Sequence, residues 1–530
     1  LKPFDASGVF HPIAKGDGLR KTAVRGAGVT IFSSALSFAI QIAATMVLAR
    51  LLTPADFGIV TMVTTFSLLF CSFGLNGFTE LILQRENLTH SLTSNLFWIN
   101  LAAGILLTVM FAALGPVIAA FYHDPVVKNA VEGISLTIIA SSLSVIHVAL
   151  LNRAMRFTAV STNNIVSRFV CVAVSIILAF RGWNYWALVA GYVAQPISIS
   201  IGAWILCRWT PGPPRSSCGT RAAVKFATNV YSRFSLNYFA GNADNLLVGW
   251  RFGAQALGFY KKAFDIFFLP LCQLLSPISA VVVTTLSRLK SERERYQQYL
   301  LAGISVLAFV GMGVGAGFIV TSRDLIRLFL GPGWEETGRI FAFFGPGIGV
   351  MLLYYTHGWI HLSIGRPERW FRWGVIEVIC TVGLFLIALP WGPKGIALAW
   401  TVSFFVLLIP SLWYAGRPIG LGVGPILTII WKFFAASVVA AGSTAWLIHM
   451  MPELEAMPGA VGALARLVSY SLLFTTLYLS AVVALHRGFK PIYRTAHLIG
   501  DFLPRRPARQ TVAVVPSKAA DELNIARVAL

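Results

Sequence analysis

Long apolar runs recur along nearly the whole chain, and they limit the possible folds more than any other feature. Each is about the ~20 residues a helix needs to cross a hydrocarbon core. The first six are Val29–Leu48, Gly58–Thr79, Leu96–Ala120, Ala130–Leu151, Val160–Phe180 and Trp186–Cys207. After a basic connection come Asn229–Trp250, Gly258–Leu286, Leu300–Val320, Ile340–Leu362, Val375–Leu389 and Gly395–Leu412. Leu427–His449 and Leu467–Leu485 bring the expected total to about fourteen. Lipid cannot satisfy backbone N–H and C=O groups, so runs of this length fold as helices and the expected class is all-α, polytopic. Composition agrees: 56% of residues are hydrophobic and 12% charged, about half the charge of a soluble domain.

The formal net charge of +21 would suggest nucleic acid in a soluble chain. Here the cations sit between apolar runs, where membrane topology accounts for them and no nucleic acid is expected. Every second connection is rich in them: Arg153 and Arg156; Arg208, Arg215, Arg221 and Lys225; Arg288, Lys290, Arg293 and Arg295; Arg366, Arg369 and Arg372. Thr321–Arg339 departs from the pattern by mixing Arg323, Arg327 and Arg339 with Asp324, Glu335 and Glu336. Cations mark the cytoplasmic side, so both termini are expected there, which requires an even number of spans. The first run is long enough to span, and no cleavable signal peptide is visible. The basic tail, with Arg487, Lys490, Arg494, Arg505, Arg506 and Arg509, is expected to meet anionic headgroups and to end in disorder.

An internal repeat organises the runs. VLARLLTPADFGIV (Val47–Val60) resembles LVGWRFGAQALGFY (Leu247–Tyr260) at an offset of about 200, with Gly58 matching Gly258. Arg156-Phe157 matches Arg366-Pro367, Gly182 matches Gly392, and Ala187-Leu188 matches Ala397-Leu398 at about 210. Copies separated by six spans point the same way through the membrane, and a binding site is expected between such halves. The expected segments are a basic lead-in (1–28), a six-helix lobe (29–207), a linker (208–228), a second six-helix lobe (229–415), two further helices (416–486) and the tail (487–530).

Polar residues inside the runs are the candidate site. On one continuous helix, Arg233, Asn237, Asp244 and Arg251 fall within roughly 40° of one another, with Asn242 and Asn245 alongside. A charged face on a spanning helix must turn to water or to polar partners. At the same offset the first run carries Ser33, Ser37 and Thr45, with Gln41 on that side, so two polar stripes are expected to face each other across a groove. Ser and Thr can instead bond their own helix backbone, which weakens the first stripe taken alone. Arg168 and Glu377 lie at related depths of the two halves and are candidates for a pair that rearranges. Arg50 and Arg251 stand at membrane boundaries, either as topology anchors or as two-pronged phosphate donors. Lys261 and Lys262 lie one turn before Asp265, close enough for a local pair. His357 and His361 share a helix face without a carboxylate or Cys beside them, so no metal is expected. The cysteines lack ligand spacing. There is no GxxxxGK[ST] loop, no nucleophile motif and no long loop, so the chain is expected to be neither an enzyme nor dependent on a cofactor.

Three stretches carry a family resemblance: ARLLTPADFGIVTM, DNLLVGWRFGAQALGFYKKAFDIFFLP and LSIGRPERW. They resemble the bacterial polysaccharide-transporter flippases, the exopolysaccharide and lipopolysaccharide branch of the multidrug/oligosaccharidyl-lipid/polysaccharide superfamily. Arg50, Pro54, Asp56, Phe57 and Gly58 match one pattern, and Asp244, Asn245, Gly249, Gly258 and Tyr260 match the other. The resemblance implies alternating access by two lobes, an inner-membrane location and a substrate of oligosaccharide on undecaprenyl diphosphate. Membrane lipids, a polysaccharide polymerase and export machinery are the implied partners. Asp56 has no counterpart at Ala256, which points to a loop cap. Transport against a gradient needs a proton or Na⁺, and Asp244 is the best-placed titratable group. Two rivals make different demands. A multidrug or cation extruder would have an acidic groove, and a polymerase or ligase would have a long catalytic loop.

Overall fold

The computed structural model describes residues 3–5, 8–10, 17–85, 88–215, 224–225, 227–228, 231, 234–235, 238, 241–450, 452–455 and 457–493. Among them the chain is helical almost throughout. The first group is α1 (Asp17–Leu51), α2 (Pro54–Gln84), α3 (His90–Ala113), α4 (Gly115–Tyr122), α5 (Val126–Ser142), α6 (Val145–Arg153), α7 (Phe157–Phe180) and α8 (Tyr185–Cys207). Then come α9 (Ala243–Arg288), α10 (Arg293–Leu330), α11 (Glu335–Tyr354), α12 (Thr356–Ser363), α13 (Pro367–Ala388) and α14 (Gly392–Gly416). The last three are α15 (Val423–His449), the short α16 (Pro452–Glu455) and α17 (Gly459–His486).

Eleven helical stretches among the described residues are long and apolar enough to cross a membrane, and one of them, Pro367–Ile419, contains both α13 and α14. Large apolar side chains such as Phe32, Leu106, Phe169, Phe180, Ile379 and Val439 remain exposed on the outside. In water that surface would be costly; in a bilayer it meets acyl chains. The polytopic, all-α class expected from the runs is therefore the class observed.

Local chemistry sets where the helices begin and break. Thr53 caps α2: its hydroxyl accepts from Asp56 N at 3.3 Å, and the Asp56 carboxylate takes Thr53 N at 2.8 Å, a reciprocal capping box with Pro54 in the first turn. Asp56 is thus a loop cap. The equivalent corner in α9 is made by Gly253, at φ 79° and ψ −178°, a conformation closed to other residues. A second interruption, the turn at Gly241–Asn242, falls inside the run expected to be one helix from Asn229 to Trp250. The expected common face of Arg233, Asn237, Asp244 and Arg251 needed an unbroken helix and does not carry across that turn. Arg233 and Asn237 themselves lie outside the described residues.

α1 packs on α7, α7 on α8, and α5 on α2, α3 and α8; separately, α11 packs on α10 and α14, and α13 on α14. α9 joins the two sets, lying against α2 on one side and against α11, α12 and α14 on the other. The α10–α11 seam is glycine-lined: a Cβ on Gly315 would stand 2.6 Å from Gly345 O, and one on Gly311 would stand 3.2 Å from Gly349 Cα. Small residues let the two backbones approach, and the stretch GMGVGAG (Gly311–Gly317) supplies them on α10.

One end of the bundle is tied shut. A Cβ on Gly58 would overlap the Ala254 carbonyl, and a Cβ on Gly258 would overlap the Pro54 carbonyl. The contact is reciprocal, each partner lying 200 positions from its counterpart, in the register of the sequence repeat. Trp334, 1% exposed, plugs the same junction, donating to Ala49 O at 2.8 Å with its ring edge-on to Phe57 and Phe259. Arg50 completes the tie, with Nη2 donating to Leu328 O at 3.0 Å.

α17 is fastened to α10 by a buried ion pair, Arg466 Nε to Asp324 Oδ1 at 2.8 Å, and Arg466 also donates to Met457 O at 2.8 Å. Breaking one partner of such a pair leaves an uncompensated charge and costs about 3–5 kcal/mol. Arg466→Ala is therefore expected to lower the thermal midpoint of the detergent-solubilised protein, and Asp324→Asn to lower it less. Equal midpoints for Arg466→Ala and wild type would show that the pair holds nothing.

Candidate functional site

Two polar cavities lie inside the bundle, and α9 contributes to both. The first, of about 110 Å³, sits just inside the tied end where α1, α2, α7, α8 and α9 converge. Its lining includes Gln41 and Thr45 of α1, Arg168 of α7, Tyr192 and Gln195 of α8, and Lys261, Lys262 and Asp265 of α9. Arg168 Nη1 donates to Gln41 Oε1 at 2.8 Å, so two residues singled out separately in the sequence meet. Lys261 Nζ pairs with Asp265 Oδ1 at 2.9 Å, the local pair that the spacing suggested. Lys262 lies over the Phe57 ring, 4.1 Å from its centroid. Among the described residues, no carboxylate is within ion-pairing distance of Arg168 or Lys262. Three cations face one carboxylate, so the cavity carries an excess of positive charge in a low-dielectric setting.

The second cavity, of about 570 Å³, is lined by Gly241, Asp244, Phe264 and Phe268 together with Tyr355, Trp370, Phe371, Glu377, Trp400 and Ser403. Asp244 is buried; its carboxylate accepts from the Tyr260 hydroxyl at 2.9 Å and from Asn245 N at 2.8 Å. Asn245 Nδ2 donates to Asn242 Oδ1 at 3.2 Å, and Asn242 Nδ2 to Tyr238 O at 2.9 Å, which fixes the turn. Glu377 faces the same space. Among the described residues, two carboxylates and no Lys or Arg line this cavity.

The sequence candidates therefore divide. Arg168 and Glu377 line different cavities and do not pair. Arg251 is exposed beside Phe252 and lines neither cavity, and Arg50 belongs to the tie. Ser37 is half-buried and lines neither, while Thr45 bonds its own backbone at Gln41 O, 2.9 Å. Lys261, Lys262 and Asp265 gained importance only in three dimensions; their signal was a pair of adjacent lysines inside an apolar run. Tyr192 and Gln195 gave no sequence signal of their own.

Apolar helices enclosing one cavity with clustered cations and another with two carboxylates, beside a reciprocal inter-helix tie, have the layout of a membrane transporter. Residues 47–339, more than half of the chain, match the family described as polysaccharide biosynthesis protein. The chain belongs to that family. It is 25% identical over 403 residues to the teichuronic acid biosynthesis protein TuaB of Bacillus subtilis (strain 168), covering 74% of this chain and 83% of that protein. It is 20% identical over 363 residues to the succinoglycan biosynthesis transport protein ExoT of Rhizobium meliloti (strain 1021), covering 68% and 74%. Among solved structures, the inward closed conformation of the lipid II flippase MurJ matches with a TM-score of 0.68 at 14% identity, covering 88% of this chain and 99% of that one. That likeness establishes the fold.

Proposed function

We propose that this protein turns oligosaccharide units on undecaprenyl diphosphate from the cytoplasmic to the periplasmic leaflet for exopolysaccharide or lipopolysaccharide synthesis. The protein is a flippase of lipid-linked sugar, not an enzyme. The observation that carries the substrate class is the convergence of Arg168, Lys261 and Lys262 on one cavity between α9 and the α1–α8 group. A sugar diphosphate is polar and anionic; guanidinium and ammonium groups there can take its phosphate oxygens, while the lipid tail stays in the bilayer. A cation extruder would need an acidic cavity at this position. The overall arrangement we favour is about fourteen spans in two six-helix lobes plus two helices. A polymerase and export machinery would receive the product.

α9 is the mechanical link. Asp244 binds Tyr260, and the next two residues are Lys261 and Lys262. A proton or Na⁺ taken by Asp244, with Glu377 across the cavity, changes the charge beside Tyr260 and biases how α9 sets the two lysines against the substrate. Binding at one cavity is thereby coupled to the other. Loss of the protein should leave lipid-linked repeat units on the inner leaflet and reduce surface glycan, with unchanged sensitivity to cationic drugs. Asp244→Asn, at wild-type abundance, should bind lipid-linked substrate but slow export. Normal surface glycan in the deletion strain, with raised dye retention, would hand the function to an extruder.

The cytoplasmic face carries both termini in this reading, so the tied end at Arg50 and Trp334 is periplasmic. Single cysteines in a cysteine-free background test it. One at Arg215 should resist an impermeant thiol reagent in intact cells, and one at Gly333 should react; the reverse pattern overturns the orientation.

A further inference from the structure

A third cavity lies away from both transport cavities, at the far end of α10. It encloses about 210 Å³ and is lined by Lys290, Arg293, Tyr296, Ile364, Arg366, Pro418 and Ile419. α10 runs from Arg293 here to the Leu328 region that holds Arg50. α1 ends at that same Arg50 region, so this cavity shares a membrane face with the start of α1.

Among the described residues, three cations and no carboxylate line this cavity. Of the acids nearby in the chain, Glu292 pairs with Arg295 at 2.7 Å, while Glu294 and Glu368 are exposed in the first turns of α10 and α13 and do not line the cavity. None of Lys290, Arg293 and Arg366 makes an ion pair or a side-chain hydrogen bond among the described residues. Three unpaired like charges around one cavity repel one another, a cost that an anion in their midst removes.

The cavity is also built around the position of Arg293. Gly420, at φ 61°, lies so close to that guanidinium that a Cβ would overlap it. Gln297 Nε2 holds the Gly420 loop by donating to Ile419 O at 3.0 Å. Tyr296 forms the floor, buried and hydrogen-bonded to Ser363 Oγ at 2.6 Å. α10 and α13 both begin at this cavity, so two positive dipole ends add to the cations, offset in part by Glu294 and Glu368 in those first turns.

We propose that Lys290, Arg293 and Arg366 form a binding site for a phosphate group, supplied by the headgroup of an anionic phospholipid or by free phosphate. The site is separate from the transport cavities and does not depend on which substrate the protein carries. Basic pockets between helices at a membrane face recognise such headgroups, each cation adding to the attraction. The charge separates the two kinds of surface cation in this chain: Arg295, Arg339 and Lys394 have carboxylate partners, whereas these three are left open to a ligand.

The test uses full-length protein in detergent. Phosphatidylglycerol is titrated by native mass spectrometry with phosphatidylcholine as the zwitterionic reference, and inorganic phosphate is titrated separately by calorimetry. Saturable phosphatidylglycerol binding is expected, weakened by at least about tenfold in Lys290→Gln/Arg293→Gln/Arg366→Gln. The equal charge loss in Arg181→Gln/Arg323→Gln/Arg327→Gln, at exposed positions elsewhere, should have less than a twofold effect. Binding of phosphate alone, lost in the same variant, supports the site with free phosphate as its source. If the pocket variant and the control lose binding equally, or neither probe binds wild type, the proposal is overturned. Should the triple variant aggregate, the double variant Arg293→Gln/Arg366→Gln decides, and unchanged binding in it overturns the proposal.

Discussion

Gly258→Val is expected to open the tied end of the bundle. The added side chain meets the Pro54 carbonyl, which is backbone and cannot rotate aside. Overpacking of this kind costs about 1–3 kcal/mol. All of it falls on the state in which α2 and α9 touch, so that state loses about 5- to 150-fold in population relative to any in which they part. Spin labels on cysteines replacing Ala55 and Gln255, in a background without the native cysteines, read the separation directly. The distance distribution should be short and narrow in the parent and longer and broader with Gly258→Val. Gly58→Val should do the same, because the contact is reciprocal. Glycan export should fall in both, since a carrier that cannot close one end leaks or stalls. An unchanged distance in both variants would mean that the helices are held by something other than this contact.

Arg168→Ala, Lys261→Ala and Lys262→Ala are expected to give the largest losses of substrate binding. Each removes a charge-assisted hydrogen bond to phosphate of about 1.5–3 kcal/mol, which is roughly 10- to 150-fold in affinity. Arg168→Lys should recover part of it, keeping the charge but not the two-pronged geometry, and Arg168→Gln should recover little. Lys261→Ala carries a second consequence, because it also leaves Asp265 without its partner at 2.9 Å. It should therefore bind worse than Lys262→Ala despite the same loss of charge. The measurement is binding of lipid-linked oligosaccharide to purified variants, with export assayed in cells at matched abundance. If Arg168→Ala and Lys262→Ala bind as wild type does, the diphosphate is held elsewhere.

The sequence alone determined the class of this protein. Apolar runs of spanning length leave only helices in lipid, and the repeat placed Gly58 and Gly258 in equivalent positions before any contact was known. It also marked Asp56 as a cap, because Thr53, Pro54 and Asp56 are neighbours in the chain and satisfy each other locally. Gln41, Arg168, Asp244 and Glu377 stood out because polar groups in apolar runs require a partner.

Which partner each one found was decided only by the tertiary structure. Helical periodicity orders residues around one axis, and the turn at Gly241–Asn242 ended that axis between Asn237 and Asp244. Arg168 and Glu377, matched by register, were sent to separate cavities because α9 passes between the helices that bear them. Lys261 and Lys262 looked like interface charges until α1, α7 and α8 closed around them. Local sequence specifies caps, breaks and spans through short-range bonds. The charge of a cavity is a sum over distant helices, and only their packing performs that sum.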